Sequence, residues 1–277
     1  MAIRFASLGS GSKGNGTLVA CGDHCLLVDC GFTIKETERR MARLGASPAD
    51  LSAILVTHEH SDHMGGVGPL ARKYRLPVYL TPGTLRARDI GTLPEVRLIE
   101  GHQPFVIGDI EVTPVAVPHD AREAAQFVFR SRGSSLGLLT DLGTITPHVE
   151  SHFGDCDALV LEANHDPQML AQGPYPPSLK RRVGGAYGHL SNQQAAGFLQ
   201  RVGSDHLQHL VVAHISEKNN SLELARAALS EAAAKAANCI FACQQEGFDW
   251  LQINSGDLAT APRDGVPMAK SPAEAID

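Results

Sequence analysis

Thr57-His58-Glu59-His60-Ser61-Asp62-His63 follows directly on the apolar run Ala53–Val56. The run reads as a buried strand, and the segment after it turns into a helix. His58 and His60 stand two residues apart at the strand's end, so an extended backbone sends both imidazoles to one side. Asp62 and His63 come as the chain turns, which aims them at a neighbouring point. Imidazole nitrogen and carboxylate oxygen suit zinc and its first-row neighbours. A lone histidine is most often a surface or core residue, but four ligating side chains within six residues point to a metal centre.

Upstream, Ile3–Leu8, Thr17–Ala20 and Cys25–Val28 read as strands with tight Gly punctuation, an antiparallel opening. Lys35–Leu44 suits a helix stopped by Gly45. Downstream, a helix is expected from about His63 to Tyr74, a strand at Pro77–Leu80, and a helix opened by Thr81-Pro82 and running to Ile90. Phe105–Ile107 pairs with Ile110–Val117 across Gly108-Asp109, and Gln126–Arg130 with Ser135–Thr140. Ala158–Leu161 and Leu210–Ala213 are core strands, and Asn192–Val202 and Leu222–Ala237 are helices. Ile240–Ala242 and Asp249–Ile253 are expected to close the sheet. From Asn254 the residues are small, polar or proline. Residues 1–253 are therefore expected to form one α/β domain, with 254–277 a disordered tail.

The chain has 277 residues, 43% hydrophobic and 19% charged, enough for a large core. Its formal net charge is −6, so its overall field does not steer it to nucleic acid. A polyanion would need local positive charge, which bound divalent ions can help supply. The N-terminus turns to Gly and Ser before a long apolar run forms, which argues against a signal peptide. No stretch approaches the roughly 18 apolar residues of a membrane helix. Cys21, Cys25, Cys30, Cys156, Cys239 and Cys243 form no paired CxxC knuckles and lie mostly in apolar surroundings. They read as reduced and structural, and a cytoplasmic location follows as an expectation.

His-x-His-x-Asp-His after an apolar strand resembles the signature of the metallo-β-lactamase superfamily. Asp29, ending Leu26–Cys30, resembles that family's structural aspartate. His119 after Val117-Pro118, Asp141 after Leu138–Thr140 and His214 after Val211–Ala213 match its later metal positions in order. The resemblance runs to about Ile253 and implies a four-layer αβ/βα sandwich. It further implies two divalent metals, zinc or manganese with iron possible. His58, His60 and His119 would hold one, Asp62, His63 and His214 the other, with Asp141 bridging them. A hydroxide held between such ions is nucleophilic near neutral pH, because metal binding lowers the pKa of water to about 7.

Thiolesters, lactams and phosphodiesters are all hydrolysed on this fold, so the choice rests on secondary features. Gly9–Asn15 is a Gly-rich loop that could bring Ser12, Asn15 and backbone N–H groups to the metals, although such loops are also common turns. It resembles the opening of the YycJ/WalJ group and of the phosphoribosyl cyclic phosphodiesterases. Gly188-His189-Leu190-Ser191-Asn192 resembles a tRNase Z segment, which makes His189 the candidate general acid. Glu162 resembles the acidic partner of that histidine, and His165 is expected in the same cleft. Gly173–Arg182 reads as a proline-rich loop ending in Lys180, Arg181 and Arg182, placed to contact phosphate. The whole set resembles the YycJ/WalJ group, which implies metal-dependent phosphodiester hydrolysis and 5′-to-3′ exonuclease attack on DNA, with Asp62, His189 and Glu162 in the catalytic machinery. Hydrolysis of a small cyclic phosphodiester is the alternative within the enzymes. A non-catalytic, metal-containing nucleic-acid-binding or regulatory protein is the alternative outside them, and the complete ligand set argues against it.

Overall fold

The computed structural model describes residues 2–254. The expected tail therefore lies outside the described residues, apart from Asn254, whose N–H donates to Gln208 Oε1 at 2.8 Å.

Among the described residues the strands form two seven-stranded sheets. The first is built from β1 (Arg4–Gly9), β2 (Gly16–Cys21), β3 (His24–Val28), β4 (Ala53–Leu55), β5 (Pro77–Leu80) and β6 (Glu95–Leu98). The second follows with β7 (Phe105–Ile107), β8 (Ile110–Ala116), β9 (Ala125–Ser131), β10 (Ser134–Leu139), β11 (Ala158–Glu162), β12 (His209–Ala213) and β13 (Cys239–Phe241). The last strand, β14 (Phe248–Gln252), returns to the first sheet and pairs antiparallel with β1, Arg4 opposite Gln252. Sequence order alone would put both closing strands in one sheet, but they end in different ones.

Strand alternation makes the layers. Phe5, Leu26, Val28, Ala53 and Leu55 from the first sheet meet Phe127, Phe129, Val160 and Val211 from the second in the central core. Their neighbours Ala6, Leu8, Leu27, Ile54 and Val56 face outward, beneath α1 (Ile34–Arg43) and the next helices. Leu159, Leu161, Leu210 and Val212 do the same on the other side. The inner strands are thus buried on both faces, as sheets covered by helices require. The result is the expected four-layer αβ/βα sandwich.

The helix expected over 63–74 is two helices, α2 (Ser61–Met64) and α3 (Val67–Tyr74). Gly65 and Gly66 separate them, and a Cβ on Gly66 would stand 1.9 Å from the carbonyl oxygen of Phe32. The next helix, α4, stops at Ala87 (Pro82–Ala87) rather than reaching Ile90. α5 (Pro147–Phe153), α6 (Pro167–Gln172) and α7 (Pro177–Val183) each begin on proline, which suits the first turn because its N–H would lack a helical partner anyway. α8 (Asn192–Val202) matches expectation, and Ser191 caps it in a capping box with Gln194. The expected helix 222–237 breaks at Leu229 into α9 (Leu222–Ala228) and α10 (Ser230–Lys235). No helix among the described residues is long and apolar enough to cross a membrane.

Candidate metal centre

The candidate ligating residues and the carboxylates that support them lie where β3, β4, β8, β10, β11 and β12 end, at the carboxyl edges where open α/β sheets bind ligands. Three of the residues just past these strands take left-handed backbone without being glycine: Asp29 (φ 61), Asp141 (φ 54) and His214 (φ 54). That conformation is uncommon for such residues and concentrates at functional sites. Gly31 lets α2 approach, since a Cβ there would stand 1.9 Å from the carbonyl oxygen of Asp62.

Three imidazoles converge first. His58 Nε2 lies 3.0 Å from His60 Nδ1, and His119 Nε2 lies 3.4 Å from the same atom. Ligands at about 2.0–2.1 Å from a tetrahedral zinc stand roughly 3.4 Å apart, so these separations suit one shared cation. The other ring nitrogens are engaged behind them. His58 Nδ1 lies 2.9 Å from Thr57 Oγ1, and His119 Nδ1 donates to the Gly188 carbonyl at 3.0 Å. Burial lowers both imidazoles from their ordinary value, which favours neutral ligands.

Asp62, His63 and His214 form a neighbouring group. His63 Nδ1–H donates to Asp29 Oδ2 at 2.8 Å, and Thr57 donates to Asp29 from both its N–H and its hydroxyl at 2.8 Å. This leaves His63 Nε2 facing Asp141 Oδ2 at 3.3 Å and Asp62 Oδ2 at 3.6 Å. Asp141 belongs to both sides: it groups with His58 and His63, and also with Glu162, His189 and His214. Its Oδ2 is buried without a hydrogen-bond donor. A buried carboxylate oxygen without a partner is costly, and a cation between these imidazoles would satisfy it. The donor set therefore fits divalent metal.

The charges agree. Burial opposes ionisation of Asp141, yet His214 and His63 hold it well below the usual carboxylate range. Burial likewise opposes a charge on His63, but Asp141, Asp29 and Asp62 outweigh it and raise this imidazole to about 10. The Asn15 amide nitrogen, 2.9 Å from His63 Nε2, competes with a ring proton for that lone pair. A metal taking this position must displace whichever is there. Metal affinity is expected to rise with pH toward 10, by about tenfold per pH unit for each proton displaced. Calorimetry in two buffers of different ionisation enthalpy should show proton release on zinc binding; buffer-independent heats would contradict it.

Beside these ligands sits a second arrangement. Glu162, the last residue of β11, is fully buried and accepts from His189 Nδ1 at 2.7 Å and His214 Nδ1 at 3.0 Å. It also accepts the Leu190 N–H at 3.1 Å and the Leu142 N–H at 3.3 Å. Burial opposes its charge, but His189 and His214 bring it down to about 2. Burial opposes the His189 cation too, and Glu162, then Asp141, raise that imidazole to about 9. His189 lines a cleft of about 420 Å³ together with Asp62, Asp141, His214, Tyr175 and Arg182.

The remaining candidates divide. Ser12 lines this cleft, and Asn15 pins its own loop by accepting the Gly11 N–H at 2.8 Å. The basic run lies on α7 rather than in a loop. Helical spacing turns Leu179, Arg182 and Val183 to the cleft, while Lys180 and Arg181 line a separate recess with His165. Lys180 Nζ donates to the Ala171 carbonyl at 2.7 Å. Sequence reasoning missed Asp120, whose Oδ2 pairs with Arg182 and whose Oδ1 lies 3.4 Å from His119 Nε2. Its only signal was adjacency to His119. Asn164, which donates to the His214 carbonyl at 3.0 Å, was also missed as a positioning residue.

Residues 24–215 match the family model described as the beta-lactamase superfamily domain, and the chain belongs to the metallo-β-lactamase-fold hydrolase superfamily. Within it, the sequence is 40% identical over 235 residues to the exodeoxyribonuclease YycJ of Bacillus anthracis, covering 83% of this chain and 89% of that one. It is 34% identical over 240 residues to the exodeoxyribonuclease WalJ of Streptococcus pneumoniae, covering 84% and 89%. This places it in the YycJ/WalJ-like group of metal-dependent hydrolases. Among solved structures, Zn2+-bound PqqB from Methylobacterium extorquens superposes with a TM-score of 0.69 at 17% identity, over 90% of this chain and 99% of that one. A likeness at that identity concerns the fold alone.

Proposed function

We propose that this protein hydrolyses phosphodiesters with two divalent metals, and that its substrate is DNA attacked from a 5′ end. The observation that carries the reading is His189, bonded to buried Glu162 at 2.7 Å and set in the same cleft as the metal-ligating residues. The likeness to two proteins named exodeoxyribonucleases supports the choice of polymer. We assign His58, His60 and His119 to one metal, Asp62, His63 and His214 to the other, and Asp141 to both. When bound, the metals supply an acidified water near neutral pH and positive charge for the attacked phosphate.

The chain's own residues supply the rest. With Nδ1–H held on Glu162, His189 presents Nε2 to the cleft and donates its proton to the departing oxygen. Against burial, Glu162 and Asp141 raise its pKa to about 9, so this imidazole carries a proton to give near neutral pH. Glu162 holds the ring and its tautomer throughout, as a buried carboxylate does for a catalytic imidazole. Arg182 faces the phosphate path, and Tyr175 offers an aromatic face on which a base can stack.

Two expected results follow. Protein loaded with Zn2+ or Mn2+ is incubated with 5′-labelled and 3′-labelled single- and double-stranded DNA and with a small cyclic phosphodiester. The 5′ label should leave first as a short product while the 3′-labelled strand shortens stepwise. Turnover of the cyclic compound alone would move the assignment to a small substrate, and cleavage of no phosphodiester would end it. Separately, Arg182→Ala should raise KM for DNA more than it lowers kcat and reduce the log–log salt slope of binding by about one. Lys180→Ala and Arg181→Ala, turned to the other recess, should do less.

A further inference from the structure

A second set of histidines stands apart from the cleft. His102 lies in the turn joining β6 of one sheet to β7 of the other, and His148 and His152 lie on α5. A separation of four residues puts both α5 rings on one helix face. Ring centroids are 4.2 Å apart for His102 and His148, 4.3 Å for His148 and His152, and 5.8 Å for His102 and His152. His148 Nε2 lies 3.0 Å from His102 Nδ1. One nitrogen from each ring falls within 4.8 Å of the other two. None of the three lines the catalytic cleft.

Two details show a built arrangement. His102 takes left-handed backbone (φ 70), with its N–H on the Pro114 carbonyl at 2.7 Å, so the turn holds its side chain over α5. His152 Nδ1 lies 3.0 Å from the His148 carbonyl, which commits that nitrogen as a donor and frees Nε2 as a ligand. Metal-binding histidines characteristically donate their second N–H to a carbonyl in this way. Burial, then His152 and His102, push the His148 imidazole below its ordinary value, which favours a neutral ring. Three imidazoles without a carboxylate select zinc, nickel or copper over magnesium or calcium.

We propose that His102, His148 and His152 form a separate surface site for a divalent cation of the zinc, nickel or copper kind, which ties the turn between the two sheets to α5. The same chain segment runs from Asp141 into α5, so this site braces a connection that begins at the catalytic cleft.

The test equilibrates the full chain in a zinc buffer of fixed free Zn2+ and counts bound zinc. Wild type should hold one more zinc per chain than His102→Ala or the double variant His148→Ala/His152→Ala. Circular dichroism and Tm measured in chelator should match wild type, and His148→Asn/His152→Gln provides a second variant if alanine disturbs α5. Cu2+ bound to wild type after zinc has filled the His58–His214 centre should give nitrogen superhyperfine structure that the variants lose. Zinc should also slow hydrogen exchange of residues 99–104 in wild type but not in the variants. Equal zinc counts in wild type and variants, or no zinc-dependent protection of that turn, would overturn the proposal. Neither readout depends on what the cleft hydrolyses.

Discussion

Glu162→Ala is expected to cost this enzyme more than His189→Ala, although only His189 reaches the cleft directly. Removing the His189 imidazole should lower kcat by about 10²–10⁴-fold, the usual contribution of a general acid, while metal content stays at the wild-type level. Loss of metal in that variant would show that the ring is a ligand instead. Glu162 holds two imidazoles, His189 at 2.7 Å and His214 at 3.0 Å, and also accepts two backbone N–H groups. Its removal takes away the acid's partner and the support of a proposed metal ligand in one step. It also leaves buried donors unpaired in a fully buried pocket, which costs about 3–5 kcal/mol when one partner of a buried pair is deleted. Rate, metal content and Tm should therefore all fall in Glu162→Ala, whereas only rate falls in His189→Ala. A Glu162→Ala protein with wild-type metal content and stability would contradict this. Because Glu162 sits at about 2 when folded against an ordinary 4.5, its share of stability is present above pH 4.5 and is lost as pH falls toward 2.

Asp29→Ala should show the same pattern in the other half of the molecule, with metal affinity as the main readout. Asp29 accepts the Thr57 N–H, the Thr57 hydroxyl and His63 Nδ1–H, so it fixes which nitrogen of His63 faces the cleft. Losing a carboxylate behind a ligating imidazole typically costs about 10–100-fold in metal affinity. The Thr57 N–H would be left buried without an acceptor, at a further cost of about 1–3 kcal/mol in stability. Asp29→Asn separates the causes. Asparagine tolerates the left-handed backbone at φ 61 and keeps an acceptor for Thr57, but it removes the charge that favours the imidazole. Zinc titration against a competing chelator should rank wild type above Asn and Asn above Ala. Equal affinities for all three would mean that Asp29 serves the fold alone.

The sequence was legible where chemistry is local. His58 to His63 lie on one strand end and one helical turn, so spacing alone brought them together. His119, Asp141 and His214 come from other strands, and only the family resemblance placed them in the set. Alternation revealed strands with two buried faces, but β6 was missed because all its residues, Glu95 to Leu98, are exposed and carry no inward pattern. The prolines at 174, 176 and 177 read as a loop because proline breaks a helix interior, yet Pro177 opens α7. That difference matters for the site: a loop would have offered Lys180, Arg181 and Arg182 together, and a helix turns them apart. Gly65 and Gly66 ended one helix early for the sake of contact with Phe32, a tertiary cause that no local pattern encodes. The pairing of Asp120 with Arg182 spans 62 positions and is equally invisible along the chain.

The return of β14 to the edge of β1 has a consequence for how the molecule comes into being. During synthesis β1 emerges long before β14, and its outer edge must wait for residues 248–252 before it finds a partner. An unpaired strand edge is a template for pairing with other chains, and such long-range pairings form slowly. Every residue between β1 and β14 must leave the ribosome before the first sheet can finish. The β1 edge therefore stays open to mispairing until β14 is made, and its protection belongs to the strand of its own sheet that is most distant from it in sequence.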